Sequence, residues 1–230
     1  MNPSAATTNP AHPRGKKTRG ILAALATLAA WAVILFSILP LPPRFDRGPH
    51  RALGLVLGQE TLKLQQPGGR VILITRGTGM FKTPAFEAQA EGLRQALRKA
   101  RVEIADTRLL NVDPLRVLSV PPGDFFELLR KGSEKDVIVS LLGPPVLDAG
   151  QLAKLDGNRP RVVAVCSGSM PRQVDLKRLF DEKLIHAAVI SRDQPAAASA
   201  AGATSAFARC FKLITPDNLE ELPPLLSDAR

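Results

Sequence analysis

"VILITRGTGMFKTPAFEAQAEGLRQALRKARVEIADT", residues 71–107, carries two kinds of periodicity in one run. "VILIT" is short and continuously apolar, the signature of a strand covered on both faces. "TPAFEAQAEGLRQALRKA" then shifts to a helical period, with Phe86, Ala90, Leu93 and Leu97 on one side. Pro84 suits the first helical position, which needs no N–H, and Thr83 suits the N-cap before it. "RVEIADT" returns to a strand. Strand, helix and strand in this order predict a parallel pair joined by a right-handed crossover.

The alternation continues down the chain. "PPGDFFELLRKGSEK" carries a helix from about Asp124, "DVIVSLLG" a third strand, and "DAGQLAKL" a short helix. "RVVAVCSG" is a fourth strand, "DLKRLFDEK" a helix and "LIHAAVIS" a fifth strand. "AAASAAGATSAFARC" reads as a helix of small residues, and "FKLIT" as a sixth strand. The predicted fold is α/β: one Rossmann-like three-layer domain over 71–216, with a mostly parallel sheet of five or six strands.

Residues 71–193 resemble one lobe of a type I periplasmic-binding-protein-like domain. The resemblance rests on "VILITRGTGMFKTPAFEAQAEGLRQALRKARVEIADT", where a strand and loop lead into a helix with an "F…GL…A" pattern. "DFFELLRKGSEKDVIVSLLG", "RPRVVAVCSG" and "LFDEKLIHAAVISRD" are similar to the later units. The resemblance implies a Rossmann-like lobe. The family closes two such lobes on a ligand, and this chain has room for one.

Upstream, "GILAALATLAAWAVILFSILPLPP" is uncharged from Gly20 to Pro43. About 20 apolar residues match the hydrocarbon thickness of a bilayer as a helix, and Pro40, Pro42 and Pro43 end it. The run is longer than a cleaved leader's apolar region and lacks a small-x-small end, so residues 20–41 are expected to be an uncleaved transmembrane signal anchor. Arg14, Lys16, Lys17 and Arg19 precede it with no acid, which orients the N-terminus to the cytoplasm and the domain outside it, in the periplasm if the cell is Gram-negative. Residues 1–19 read as a disordered basic tail, 42–70 as a connector and 217–230 as a C-terminal tail. Within the connector, "ALGLVLG" and "TLKLQ" fit a short hairpin or an added edge strand.

The net charge of +10 arises largely in those flanks, so it does not mark a nucleic-acid surface on the domain. The expected partners are the lipid bilayer and a small ligand or protein, with no nucleic acid. Cys166 and Cys210 form no CxxC pair and have no histidine at metal spacing, so no metal site is expected, and the thiols read as buried and free. A disulfide between them stays open if the domain is exported.

The candidate ligand residues are Arg76, Gly77, Thr78, Gly79, Lys82, Ser167, Ser169, Arg192 and Asp193. The first five follow the first strand. Phe81 takes the place of the second glycine of a P-loop, and Lys82 that of the third glycine of a dinucleotide fingerprint. A strand-to-helix turn is the plain reading. Binding of a small anion by Arg76 and Lys82 is the sharper one. Asp106, ending the second strand, stands where a ribose-binding acid would lie. Ser169 and Cys166 lack a base apart from His186, which sits within the fifth apolar run, so no catalytic residue and no cofactor are assigned. The candidate loops all follow strands and would share the carboxyl edge of the sheet, where open α/β folds bind ligands. The expected role is a membrane-anchored, non-enzymatic α/β domain for extracytoplasmic ligand sensing or protein interaction. The alternative is a nucleotide-dependent protein using residues 77–82.

Overall fold

A computed structural model describes residues 25–31, 45–77, 83–110, 120–192 and 203–226. The chain divides into two units, Met1–Arg44 and Phe45–Arg230. In the first, residues 25–31 are helical (α1). They are the described part of the expected membrane span, and among the described residues no helix is long and apolar enough to cross a membrane.

The second unit opens with α2, Arg47–Leu64. The expected hairpin or edge strand in this stretch is therefore corrected to a helix. Asp46 caps it by accepting the Gly48 N–H at 2.8 Å. Then follow β1 Val71–Arg76, α3 Pro84–Lys99, β2 Ile104–Leu110, α4 Pro122–Lys131, β3 Val137–Ser140 and α5 Ala149–Leu152. The chain continues through β4 Arg161–Cys166, α6 Met170–Gln173, α7 Leu176–Asp181, β5 Ala187–Ser191, α8 Ala203–Cys210 and β6 Phe211–Ile214. A 3-10 helix, Pro216–Glu221, follows within the stretch expected to open the C-terminal tail. Pro84 takes the first helical position as expected, and Thr83 takes the N-cap with extended backbone geometry but without a side-chain capping hydrogen bond.

The six strands are ordered β2-β1-β3-β4-β5-β6. All neighbours pair in parallel except β5 and β6. Alternate side chains leave opposite faces of each strand, so every strand feeds two cores. Ile72, Ile74, Ile138, Val162 and Ala164 pack under α4, α6 and α7 with Phe125, Leu129, Leu176 and Phe180. Val71, Leu73, Val137, Val139, Val163 and Val165 pack under α2, α3 and α8 with Leu53, Leu57, Leu93, Leu97 and Phe207. This is the three-layer α/β arrangement read from the alternation.

Helices α2 and α3 meet through small residues. A Cβ on Gly54 would overlap the Gln89 carbonyl oxygen, one on Gly92 the Arg51 carbonyl oxygen, and one on Gly58 the Ala96 side chain. At the amino edge, Asp136 ties β1 to β3. It accepts the Arg70 N–H at 2.8 Å, the Arg70 guanidinium at 2.8 Å and the Ser133 N–H at 3.1 Å.

Candidate functional site: the carboxyl edge of the sheet

Sheet order reverses between β1 and β3, so the loops leaving β1, β3, β4 and β5 open on one edge. β1 ends at Arg76, and the Gly77 N–H donates to the Leu110 oxygen of β2 at 2.9 Å. Thr78, Gly79 and Lys82 lie outside the described residues. β4 delivers Cys166, buried, and then Ser167, Gly168 and Ser169, all exposed. Gly168 has φ of 64°, a left-handed turn that a side chain would strain. Its N–H points at Ser191 Oγ of β5, 3.3 Å away. β5 ends with Ser191 and Arg192, and Asp193 lies outside the described residues.

Antiparallel β6 begins at this same edge. The Arg192 N–H donates to the Cys210 oxygen at 2.9 Å, and Arg192 Nε donates to the Phe211 oxygen at 3.2 Å. Lys212, next in β6, meets Glu221 of the 3-10 helix at 2.7 Å. Hydrogen bonds from Lys212 and then Asn218 hold the Glu221 carboxyl below its ordinary range. Between these groups lies a cavity of about 310 Å³, lined by Gly168, Arg172, Ser191, Arg192, Lys212 and Glu221 among others. Among the described lining residues, Arg192 and Lys212 stand with the Glu221 carboxylate, which Lys212 already pairs. A small ligand with an anionic group fits that balance, and the volume lies at the lower end of small-molecule sites.

The structure thus divides the sequence candidates. Arg192 lines the cavity, and Ser167 and Ser169 flank its Gly168 wall. Arg76 and Gly77 do not line it: β1 stands three strand steps from β5, roughly 14 Å at the usual interstrand spacing. Arg172, Ser191, Lys212 and Glu221 escaped the sequence reading. Lys212 and Glu221 come from the last strand and the segment beyond it, and only their ion pair across the edge gives them a role. Arg172 sits in a four-residue helix too short to register as periodicity.

Two other expectations change. Asp106 does not end β2. It is the third residue of that strand, paired with Ile72, and its carboxylate is engaged by Arg108 Nε at 2.8 Å. It therefore stands toward the amino end, away from where a ribose would reach. His186 is not within β5 but just before it. Its N–H donates to the Val162 oxygen at 2.8 Å and its Nδ1 accepts the Val162 N–H at 3.2 Å. Val162 is four residues along β4 from Cys166, roughly 13 Å of strand, so His186 cannot serve Cys166 or Ser169 as a base. Burial pushes the Cys166 thiol up to about 12. Cys166 and Cys210 are both free, the first buried and the second half-buried. Among the described residues no cluster of side chains could hold a metal ion.

Neither a protein-family model nor a curated protein sequence matches the chain. Several solved structures are similar to it. A carbohydrate transporter solute-binding protein from Agrobacterium radiobacter, in complex with D-arabinose, is 14% identical over 76% of this chain and 61% of its own, with a TM-score of 0.47. The arabinose-binding protein AraP from Geobacillus stearothermophilus is 14% identical over 76% of this chain and 63% of its own, with a TM-score of 0.48. A sugar-binding protein of a sugar ABC transporter from Bacillus halodurans is 15% identical over 76% and 64%, with a TM-score of 0.47. The chain spans about three-fifths of the length of these structures. By their names they are solute- and sugar-binding proteins. The fold itself rests on the chain's own strand order and crossovers.

Proposed function

We propose that this chain is a membrane-anchored, non-enzymatic α/β domain that binds a small anionic ligand outside the cytoplasm. The observation that carries the ligand class is the cavity at the carboxyl ends of β4 and β5, lined by Ser191, Arg192 and Lys212 among others. The anchor and its orientation rest on the uncharged stretch from Gly20 to Pro43 and the four basic residues before it. Against the nucleotide alternative stands Asp106, ion-paired toward the wrong end of β2.

A thermal-shift series on the full chain in detergent micelles tests the reading. Its arms are neutral sugars, sugar acids, sugar phosphates and nucleotides. A ligand that binds only the folded state raises the melting temperature as it saturates. Stabilisation by a sugar acid or sugar phosphate, and none by the neutral parent sugar, is the expected result. Selective stabilisation by a nucleotide that Lys82→Ala abolishes and Arg192→Ala leaves intact would return the site to the loop after β1.

A further inference from the structure

At the far end of the sheet, β2 pairs among the described residues with β1 alone. The Leu110 oxygen faces β1, since it accepts the Gly77 N–H. Backbone polar groups alternate sides along a strand, so Thr107 and Leu109 turn their N–H and C=O outward, up to the register shift at Ala105. Thr107 and Leu109 are exposed, Leu109 at 63%. A groove of about 500 Å³ lies between β2 and α4, lined by Asp106, Arg108 and Leu109 on one side and Glu127 and Lys131 on the other. An edge of this kind is a template for another strand.

Charges on an edge strand ordinarily discourage pairing. Here their order along the strand does the opposite. Asp106 and Arg108 flank Thr107, with side chains 42% and 57% exposed. Read backwards on an antiparallel copy, acid-then-base becomes base-then-acid. We propose that two copies of this chain join through their β2 edges, antiparallel about a two-fold axis at Thr107, into one continuous sheet.

The register follows from backbone and charge together. With the axis at Thr107, the two Thr107 residues pair and exchange both hydrogen bonds, and Leu109 stands opposite the register shift at Ala105. Asp106 then stands opposite Arg108 twice, in the closer non-hydrogen-bonded pairs where side chains interact most. An axis at Asp106 would oppose two carboxylates, and one at Arg108 two guanidinium groups. A slip in either direction is therefore penalised. The ligand cavity lies at β4–β6, across the sheet, so this inference stands or falls separately from the proposed function.

Oxidative cross-linking of the full chain in detergent micelles tests it. A hydrogen-bonded antiparallel pair holds its Cα atoms about 5.5 Å apart, within disulfide reach. Thr107→Cys is expected to give a covalent dimer well above the wild-type baseline set by Cys166 and Cys210. Leu109→Cys alone is expected to match that baseline, its two copies being separated by roughly 13 Å along the strands. Asp106→Arg added to Thr107→Cys should cut the yield about tenfold, and adding Arg108→Asp as well should restore it. Baseline cross-linking at Thr107→Cys, equal yields at positions 107 and 109, or failure of the double charge swap to restore would each overturn the proposal.

Discussion

His186 is a histidine kept neutral by its position. Burial, and then the charges of Arg161, Arg159 and Lys183, push its pKa down to about 4. The unfolded chain takes up the proton near pH 6.5, and the folded one resists it. The contribution of His186 is therefore complete above about pH 6.5 and is lost as pH falls toward 4. Urea unfolding at pH 7 and pH 4.5 should show that loss, at less than the one-proton limit of about 1.4 kcal/mol per pH unit because the ring keeps some solvent contact. His186→Asn, which can still accept the Val162 N–H, should flatten the dependence between those two pH values. Asp136 is a buried carboxylate at the same amino edge. Burial alone would raise its carboxyl, but hydrogen bonds from the Arg70 side chain and the Arg70 and Ser133 N–H groups outweigh it and hold it low. Asp136→Ala leaves those donors without an acceptor. It should lower the unfolding free energy by about 1–3 kcal/mol in the same assay, with ligand binding unchanged.

At the scale of elements, the strands were legible and α2 was not. "VILIT", "DVIVS" and "RVVAV" are apolar on both faces because helices cover both, and that pattern exists in the sequence before any contact forms. Helix α2 buries residues toward the sheet and toward α3 at once, so it shows no single apolar stripe, and its glycines lower its helical propensity. The missed signal was the spacing of small residues: Gly54 and Gly58 on α2, and Ala88, Gly92 and Ala96 on α3, each four apart along one helix face. Such spacing serves close backbone approach rather than flexibility. Gly92→Ala should therefore force the helices apart and cost about 1–3 kcal/mol or more. Gly123→Ala in α4, where an added Cβ meets nothing within 4 Å, should leave stability unchanged or raise it by about 0.5–1 kcal/mol. Thermal unfolding of the two variants side by side checks the pair.

For the molecule as a whole, the alternating sequence carried the parallel sheet and the edge that holds the candidate site, because chirality and burial leave few other ways to connect such elements. It did not carry the composition of the site. Arg192 was legible as the end of an apolar strand, whereas Lys212 and Glu221 acquire meaning only once β6 turns antiparallel and brings its first residues beside β5. The central claim is that this corner, and not the loop after β1, holds the ligand. Calorimetric titration of the full chain with the anionic ligand selected by the thermal-shift series measures it, comparing Arg192→Ala with Arg76→Ala. The account predicts that Arg192→Ala weakens binding by about 1.5–3 kcal/mol, the scale of a charge-assisted hydrogen bond, while Arg76→Ala binds as the wild type does. Unchanged affinity in Arg192→Ala together with a comparable loss in Arg76→Ala would contradict it.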